Sequence, residues 1–196
     1  MKNSINKLAF IIKCGGTLVF PTDTIYGILG SALNKKTVLY IYKIRKRNLH
    51  KPFIILIASI SDIQKFSMAI SQKEKAFLKN IWPGQVSVIF SCGSKRFFYL
   101  HRGTKKLAFR IPKKKNLIAL LKKTGPLVAP SANIEGTPPA KNIRDAKKYF
   151  GNKINFYVNE GTISGSPSAI IEFSDNTFVS VRKGRIPISK LKSLYK

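Results

Sequence analysis

Acidic residues are scarce in this 196-residue chain: eight Asp and Glu stand against 36 Lys and Arg, a formal charge of +28. Carboxylates so few and so scattered assemble no catalytic acid pair and no cage for a cation. Histidine is scarcer, with only His50 and His101, and the two cysteines, Cys14 and Cys92, have no ligand spacing. A protein-built zinc site is therefore excluded. Two cysteines also make no disulfide framework, which fits a reducing cytoplasm. No apolar run approaches the ~20 residues of a membrane span. The run Leu8–Ile12 is broken by Lys13, and no small-residue cleavage site follows before Gly15-Gly16, so it reads as a packed helix and not a leader. Neither G-x-x-x-x-G-K-[ST] nor G-x-G-x-x-G occurs, so any nucleotide has to be held without a Walker cradle.

What is present suits a folded domain. Hydrophobic residues make up 44% and aromatics 11%, enough to bury a core and too much for a disordered basic tail. Lysines outnumber arginines 28 to 8. That lean explains part of the charge and keeps it from naming a partner, although so basic a surface belongs beside anions: polyphosphate, nucleic acid or an acidic membrane face.

The apolar pattern alternates between helical and extended periods. Helices are expected at Ser4–Lys13, from the cap Asn34 to about Arg47, at Ser61–Phe66, Ser71–Asn80, Asn116–Lys123 and Lys141–Tyr149. Strands are expected at Thr17–Phe20, Phe53–Ala58, Gln85–Phe90, Leu107–Ile111, Leu127–Ala129, Phe156–Val158, Ala169–Phe173 and Phe178–Arg182. This predicts a mixed α/β fold on one sheet of about seven strands. With no internal repeat and no dividing linker, residues 1–196 are expected to form a single domain without an extra C-terminal one.

Gly, Pro and Ser concentrate at Pro21–Gly30, Pro130–Pro139 and Gly161–Ser168, each at a strand end where α/β proteins tend to bind ligands. Pro21–Gly27 packs two threonines, Asp23 and Tyr26 into a few residues, a cluster suited to a small zwitterion or to an ordinary turn. Lys36, Lys43 and Arg47 share one helical face by spacing, flanked by Arg45 and Lys46, and would repel unless an anion or solvent compensated. Ser131 and Asn133, two apart, face one side if extended and would donate to one phosphate. Arg110, alone in an apolar strand of an acid-poor chain, points to a ligand carboxylate.

In order along the chain, Pro21-Thr-Asp-Thr-Ile-Tyr-Gly27, the basic Arg45-x-Arg47 with Lys51-Pro52, Trp82-Pro83-Gly84, Leu107-Ala-Phe-Arg110, Pro130-Ser-Ala-Asn133 and Pro167-Ser168 resemble the YrdC-like family. The likeness runs from about Gly15 to Gly184. It implies an open twisted mixed sheet with flanking helices around a concave basic cleft. It also implies a nucleotidyltransferase that joins L-threonine, bicarbonate and ATP into L-threonylcarbamoyladenylate and pyrophosphate. The adenylate would pass to the machinery that puts threonylcarbamoyl on a tRNA adenosine. The family's K-x-R and S-x-N tetrad falls on Arg45, Arg47, Ser131 and Asn133 as catalytic and ATP-binding residues, with Arg182 facing the nucleotide. Thr24, Tyr26, Arg110 and Ser168 would hold threonine. Mg²⁺ would be bridged by the phosphates. Arg45 replaces the usual lysine and Asn48 the usual following proline; Leu56 stands where longer relatives carry a histidine. Two rivals follow from the same residues: a non-catalytic module binding double-stranded RNA or tRNA through its charge, and carbamoyl transfer from carbamoyl phosphate, as in the related hydrogenase-maturation domain.

Overall fold

The computed structural model describes residues 2–174 and 177–195. Helix α1, Lys2–Lys13, buries Leu8, Ala9 and Ile12 and ends at Gly15. Strands β1 (Leu18–Pro21) and β2 (Tyr26–Ser31) follow as an antiparallel pair. Helix α2, Lys35–Ile44, starts at the expected cap, where the Asn34 side chain accepts from the Thr37 amide; Val38, Ile41 and Tyr42 face inward.

Beyond α2 come β3 (Ile54–Leu56), a 3₁₀ turn at Ile60–Phe66 and α3 (Gln72–Ile81). The Ser71 and Glu74 side chains cap α3 reciprocally. Strand β4 (Val86–Ser91), the short α4 (Phe98–His101), β5 (Lys106–Arg110), α5 (Lys115–Thr124) and β6 (Leu127–Val128) complete the middle of the chain. Helix α6 (Ile143–Phe150), β7 (Phe156–Tyr157), β8 (Ala169–Ser174), β9 (Thr177–Arg182) and α7 (Ile188–Leu194) close it.

Nine strands among the described residues, the eight expected segments and one more, make one mixed sheet in the order β7-β1-β2-β6-β3-β5-β4-β8-β9. The pairs β1–β7, β3–β5 and β4–β8 are parallel and the rest antiparallel. The sequence reading misses β2 entirely, because Gly27 and Gly30 read as loop punctuation while lying inside a buried strand.

Alternation along the strands divides the sheet into two unlike faces. Val128, Ile55, Phe109, Val88 and Ile171 are neighbours on one face, in the main core with side chains from α2, α3, α4 and α6. Phe109 packs edge-on to Phe66 at 5.1 Å there; truncating such a ring to Ala costs about 3–5 kcal/mol. On the other face Leu18, Phe20, Leu29, Leu56 and Leu127 meet only α1 and α5. The rest of that face, carrying Ile54, Arg110 and Ile170, is left without a helix and floors a cavity.

Candidate active site

The basic end of the cavity begins where α2 stops. The helix ends three residues before Arg47, so Arg47 does not share a helical face with Lys36 and Lys43 as the spacing suggested. Instead the Lys46 amide donates to Lys43 O (3.1 Å) and the Arg47 amide to Tyr42 O (3.0 Å), with Lys46 left-handed at φ 49°. This turn throws Arg45 and Arg47 to the same cavity.

Arg45 is 2% exposed. Its Nε donates to the Asn133 carbonyl (3.0 Å), and its Nη2 to Ser131 Oγ (3.2 Å) and Asn133 Oδ1 (3.1 Å). Burial, then the charge of Arg47, pushes its pKa down to about 10, so it stays cationic at neutral pH. Asn133 has spent its donors, since Nδ2 bonds the carbonyls of Ile134 (2.9 Å) and Thr137 (2.7 Å). It is not among the lining residues and braces Arg45, whereas Ser131 accepts from Arg45 and keeps its own hydroxyl proton to give.

Arg47 Nη1 meets Glu135 Oε1 at 3.3 Å, while its Nε is buried without a partner. Glu135 also takes Lys51 Nζ (3.0 Å) and the Asn48 amide, and its own amide donates to Arg45 O (2.9 Å). One carboxylate thus ties the basic turn to the loop after Ser131. Tyr42 and Arg102 brace the turn from behind, donating to Lys51 O and Leu49 O.

The other end is built from the β1–β2 loop and the ends of β5, β8 and β9. Thr22 Oγ1 donates to Ile25 O (2.7 Å), so Thr24 is the donor in the 2.9 Å contact between the two hydroxyls. The lone pairs of Thr24 Oγ1 are left to accept, as an amine requires. Gly165 lies so close that a Cβ there would sit 1.9 Å from Thr24 O, which seats the 165–168 loop directly on Thr24. Ser168 Oγ contacts the buried Ser87 Oγ at 2.9 Å, and Arg182 clasps the Ser168 carbonyl with Nε (3.1 Å) and Nη2 (2.9 Å).

Arg110, expected to face a ligand carboxylate, also has a carboxylate partner within the chain: Asp23 Oδ1 meets Nη1 at 2.8 Å. Its Nε is buried and unpaired. Burial lowers the pKa of Arg110, with Asp23 opposing, and lowers that of Arg182, with Arg110 and Arg47 adding repulsion. Tyr26 lies outside the lining. It is fully buried, and its hydroxyl donates to Gly161 O (2.8 Å) and accepts from the Glu160 amide (3.1 Å).

Thr24, Arg45, Arg47, Arg110, Ser131, Ser168 and Arg182 therefore line one cavity of about 190 Å³. Four guanidiniums and three hydroxyl side chains besides Thr22 face no lining carboxylate, imidazole or amine. Such a donor set holds anions and does not suit a divalent cation of the protein's own, and no group of three or more His, Cys, Asp or Glu comes together among the described residues. The sequence reading names Asp23 and Thr22 in the first loop's cluster without their partners, and passes over Glu135 and Ser87. In a chain with eight acids, an acid inside each motif was the available signal.

The Sua5/YciO/YrdC family model, described as telomere recombination, matches residues 10–184. A Bacillus subtilis (strain 168) protein named threonylcarbamoyl-AMP synthase is 28% identical over 193 residues, covering 97% of this chain and 56% of that protein. A Coxiella burnetii (strain RSA 493) protein of the same name is 28% identical over 153 residues, 78% of this chain and 82% of its own. Pyrococcus abyssi Sua5, solved in complex with L-threonine, superposes with a TM-score of 0.91 at 26% identity, over 99% of this chain and 58% of that one. Escherichia coli YciO, at 22% identity, shares the fold over 97% of this chain and 94% of its own with a TM-score of 0.85. The chain spans about half the length of the B. subtilis and P. abyssi proteins. With a family model matched over nearly all its residues, the chain belongs to the Sua5/YciO/YrdC family.

Proposed function

We propose that this protein is an L-threonylcarbamoyladenylate synthase, a nucleotidyltransferase acting on L-threonine, bicarbonate and ATP. One observation carries the reading: four guanidiniums with no carboxylate among them line one cavity, and Arg47 at one end and Arg110 at the other each keep an Nε that no protein group satisfies. A buried donor without a partner is costly, and two separated ones ask for two anionic groups. A polyphosphate at Arg45, Arg47 and Ser131 and an amino-acid carboxylate at Arg110 meet that demand. Thr24 and Ser168 then address the amine and side-chain hydroxyl, and Tyr26 and Asn133 act by holding the loops around them. The relatives named for this activity, and the threonine bound to P. abyssi Sua5, support the same reading.

The chemistry follows from placement. The neutral amine bonds to the carbon of carbon dioxide and gives up a proton to water, or to that of bicarbonate, whose C–OH bond breaks to release water; either way a carbamate forms. A carbamate oxygen attacks the α-phosphorus, the bond from that phosphorus to the β-phosphate oxygen breaks, and pyrophosphate leaves. No lining side chain is a base, so the protein contributes position and charge. Arg182, held on Ser168 and close enough to feel the charges of both Arg110 and Arg47, adds a further cation for the ligands' negative charge. Mg²⁺, if it accompanies ATP, arrives on the phosphates. Work in the cytoplasm and delivery of the adenylate to a tRNA-modifying transferase complete the proposal; no helix among the described residues is long and apolar enough to cross a membrane.

An RNA-binding module would carry its cations outward, and here four arginines are turned into a hollow. Mass spectrometry of reactions with purified protein tests the choice. Threonylcarbamoyl-AMP should form, and should vanish when threonine, bicarbonate or ATP is omitted. Absence of the adenylate from the complete mixture, or its formation from carbamoyl phosphate in place of bicarbonate, sinks the reading.

A further inference from the structure

Among the described residues, only two acids touch the cavity's guanidiniums, and they differ in kind. Glu135 divides itself among Arg47, Lys51 and a backbone amide. Asp23 is committed to one cation: the side chains of Asp23 and Arg110 are 7% and 5% exposed. Its second oxygen accepts the Lys113 amide at 3.0 Å, and its carbonyl takes the Gln85 side chain, so it has no freedom to turn away.

We propose that Asp23 is a specificity-determining residue, which sets the Arg110 end of the cavity to take a zwitterionic amino acid and to refuse a phosphate. The inference rests on the proposed function for the identity of the amino acid. The Nη1 of Arg110 is spent on Asp23 and on Gly84 O (3.4 Å). What remains is the edge carrying the unpaired Nε, which is the width of one carboxylate. With Asp23 in place the buried pair itself carries no net charge, and among the described residues Arg182 is the one uncompensated cation left at that end. A ligand of zero net charge enters it without penalty, whereas a phosphate dianion meets a fixed carboxylate at close range in a poorly screened interior. Arg45 has no acid partner among the described residues, and Arg47 only a share of one that Lys51 also uses, so the opposite end stays the more positive of the two and takes the polyphosphate. Two ligands that both carry anionic oxygens are thereby sorted to their own ends.

Calorimetric titration of wild type and Asp23→Asn with L-threonine, and separately with inorganic phosphate, tests this. Asp23→Asn is expected to bind threonine about tenfold more weakly and to gain about tenfold in affinity for a phosphate ion that threonine displaces. A merely structural role would weaken both ligands together. Threonine affinity within twofold of wild type, or no gain in phosphate, overturns the proposal. Asp23→Glu keeps the charge and shifts the fork, so it should lose threonine affinity and still exclude phosphate; phosphate uptake by that variant counts equally against the idea, even if Asp23→Asn fails to fold. Failure of the wild type to bind threonine would sink the proposed function, while the phosphate titrations still decide for or against Asp23.

Discussion

The two ends of the cavity use the same side chain under opposite electrostatic conditions. At the basic end Arg47 rests on Glu135 with about a quarter of each side chain open to solvent. At the other end Arg110 and Asp23 form a pair sealed from water. A water-facing pair contributes little stability and releases its cation cheaply to a better anion. A sealed pair is strongly coupled: removing either partner strands a charge. The basic end is therefore built for exchange and the Arg110 end for permanence, as the proposed reaction asks of a polyphosphate that leaves as pyrophosphate and an amino acid that is kept in the product.

The sharpest way to break that contrast is to remove one arginine from each end. Arg47→Ala should cut adenylate formation at least ~100-fold, because the grip on the leaving group is lost. Its melting temperature should fall by less than ~3 °C, since only a partly exposed pair goes. Arg110→Gln should also cost activity, but it leaves Asp23 buried without a counter-ion, a loss of about 3–5 kcal/mol or ~10 °C in a chain of this size. The double variant Asp23→Asn/Arg110→Gln should recover most of that stability and none of the activity. Calorimetric melts beside an adenylate assay check all three. Equal destabilisation by Arg47→Ala and Arg110→Gln would erase the distinction between the ends.

How much of this could be read from the sequence depends on what each residue bonds to. Thr24, Arg45, Arg47, Ser131, Arg110, Ser168 and Arg182 share one cavity because each sits at a strand or helix end, and strand ends are legible from turn residues. Tyr26 and Asn133 belong to the same motifs, yet their polar atoms are taken by backbone groups of residues 160, 161, 134 and 137, which spacing along the chain does not reveal. The pairings of Asp23 and Glu135 are illegible for a related reason: their partners lie 87 and 88 residues away. In the fold, β2 was lost to its glycines, and α2 was drawn through Arg47 because nothing in Arg-Lys-Arg signals a stop.

Tyr26→Phe asks whether the Arg110 end includes the phenol. If Tyr26 only tethers the 160–161 backbone, losing its hydroxyl costs about 1–2 kcal/mol, and the KM for threonine moves less than threefold. A tenfold rise in that KM with an unchanged melting temperature would place the hydroxyl on the substrate and enlarge the amino-acid end at the expense of the tether.

The smallest expected effect concerns the turn that presents the basic end. Helices α1 and α2 close with the same pair of hydrogen bonds. Gly16 and Gly15 amides donate to Ile11 and Ile12 carbonyls after α1, and Arg47 and Lys46 amides to Tyr42 and Lys43 carbonyls after α2. The left-handed residue is Gly15 in the first (φ 82°) and Lys46 in the second (φ 49°). A side chain in that conformation costs about 1 kcal/mol that glycine avoids. Lys46→Gly should therefore raise the melting temperature by ~2 °C, less than the strain alone predicts, because glycine also loosens the unfolded chain. Adenylate formation should stay within twofold of wild type, as the bonds that aim Arg45 and Arg47 are all backbone-made or made by other residues. A several-fold rise in the KM for ATP together with the gain in stability would show that the Lys46 ammonium itself helps attract the polyphosphate, and would extend the exchangeable end of the cavity by one more cation.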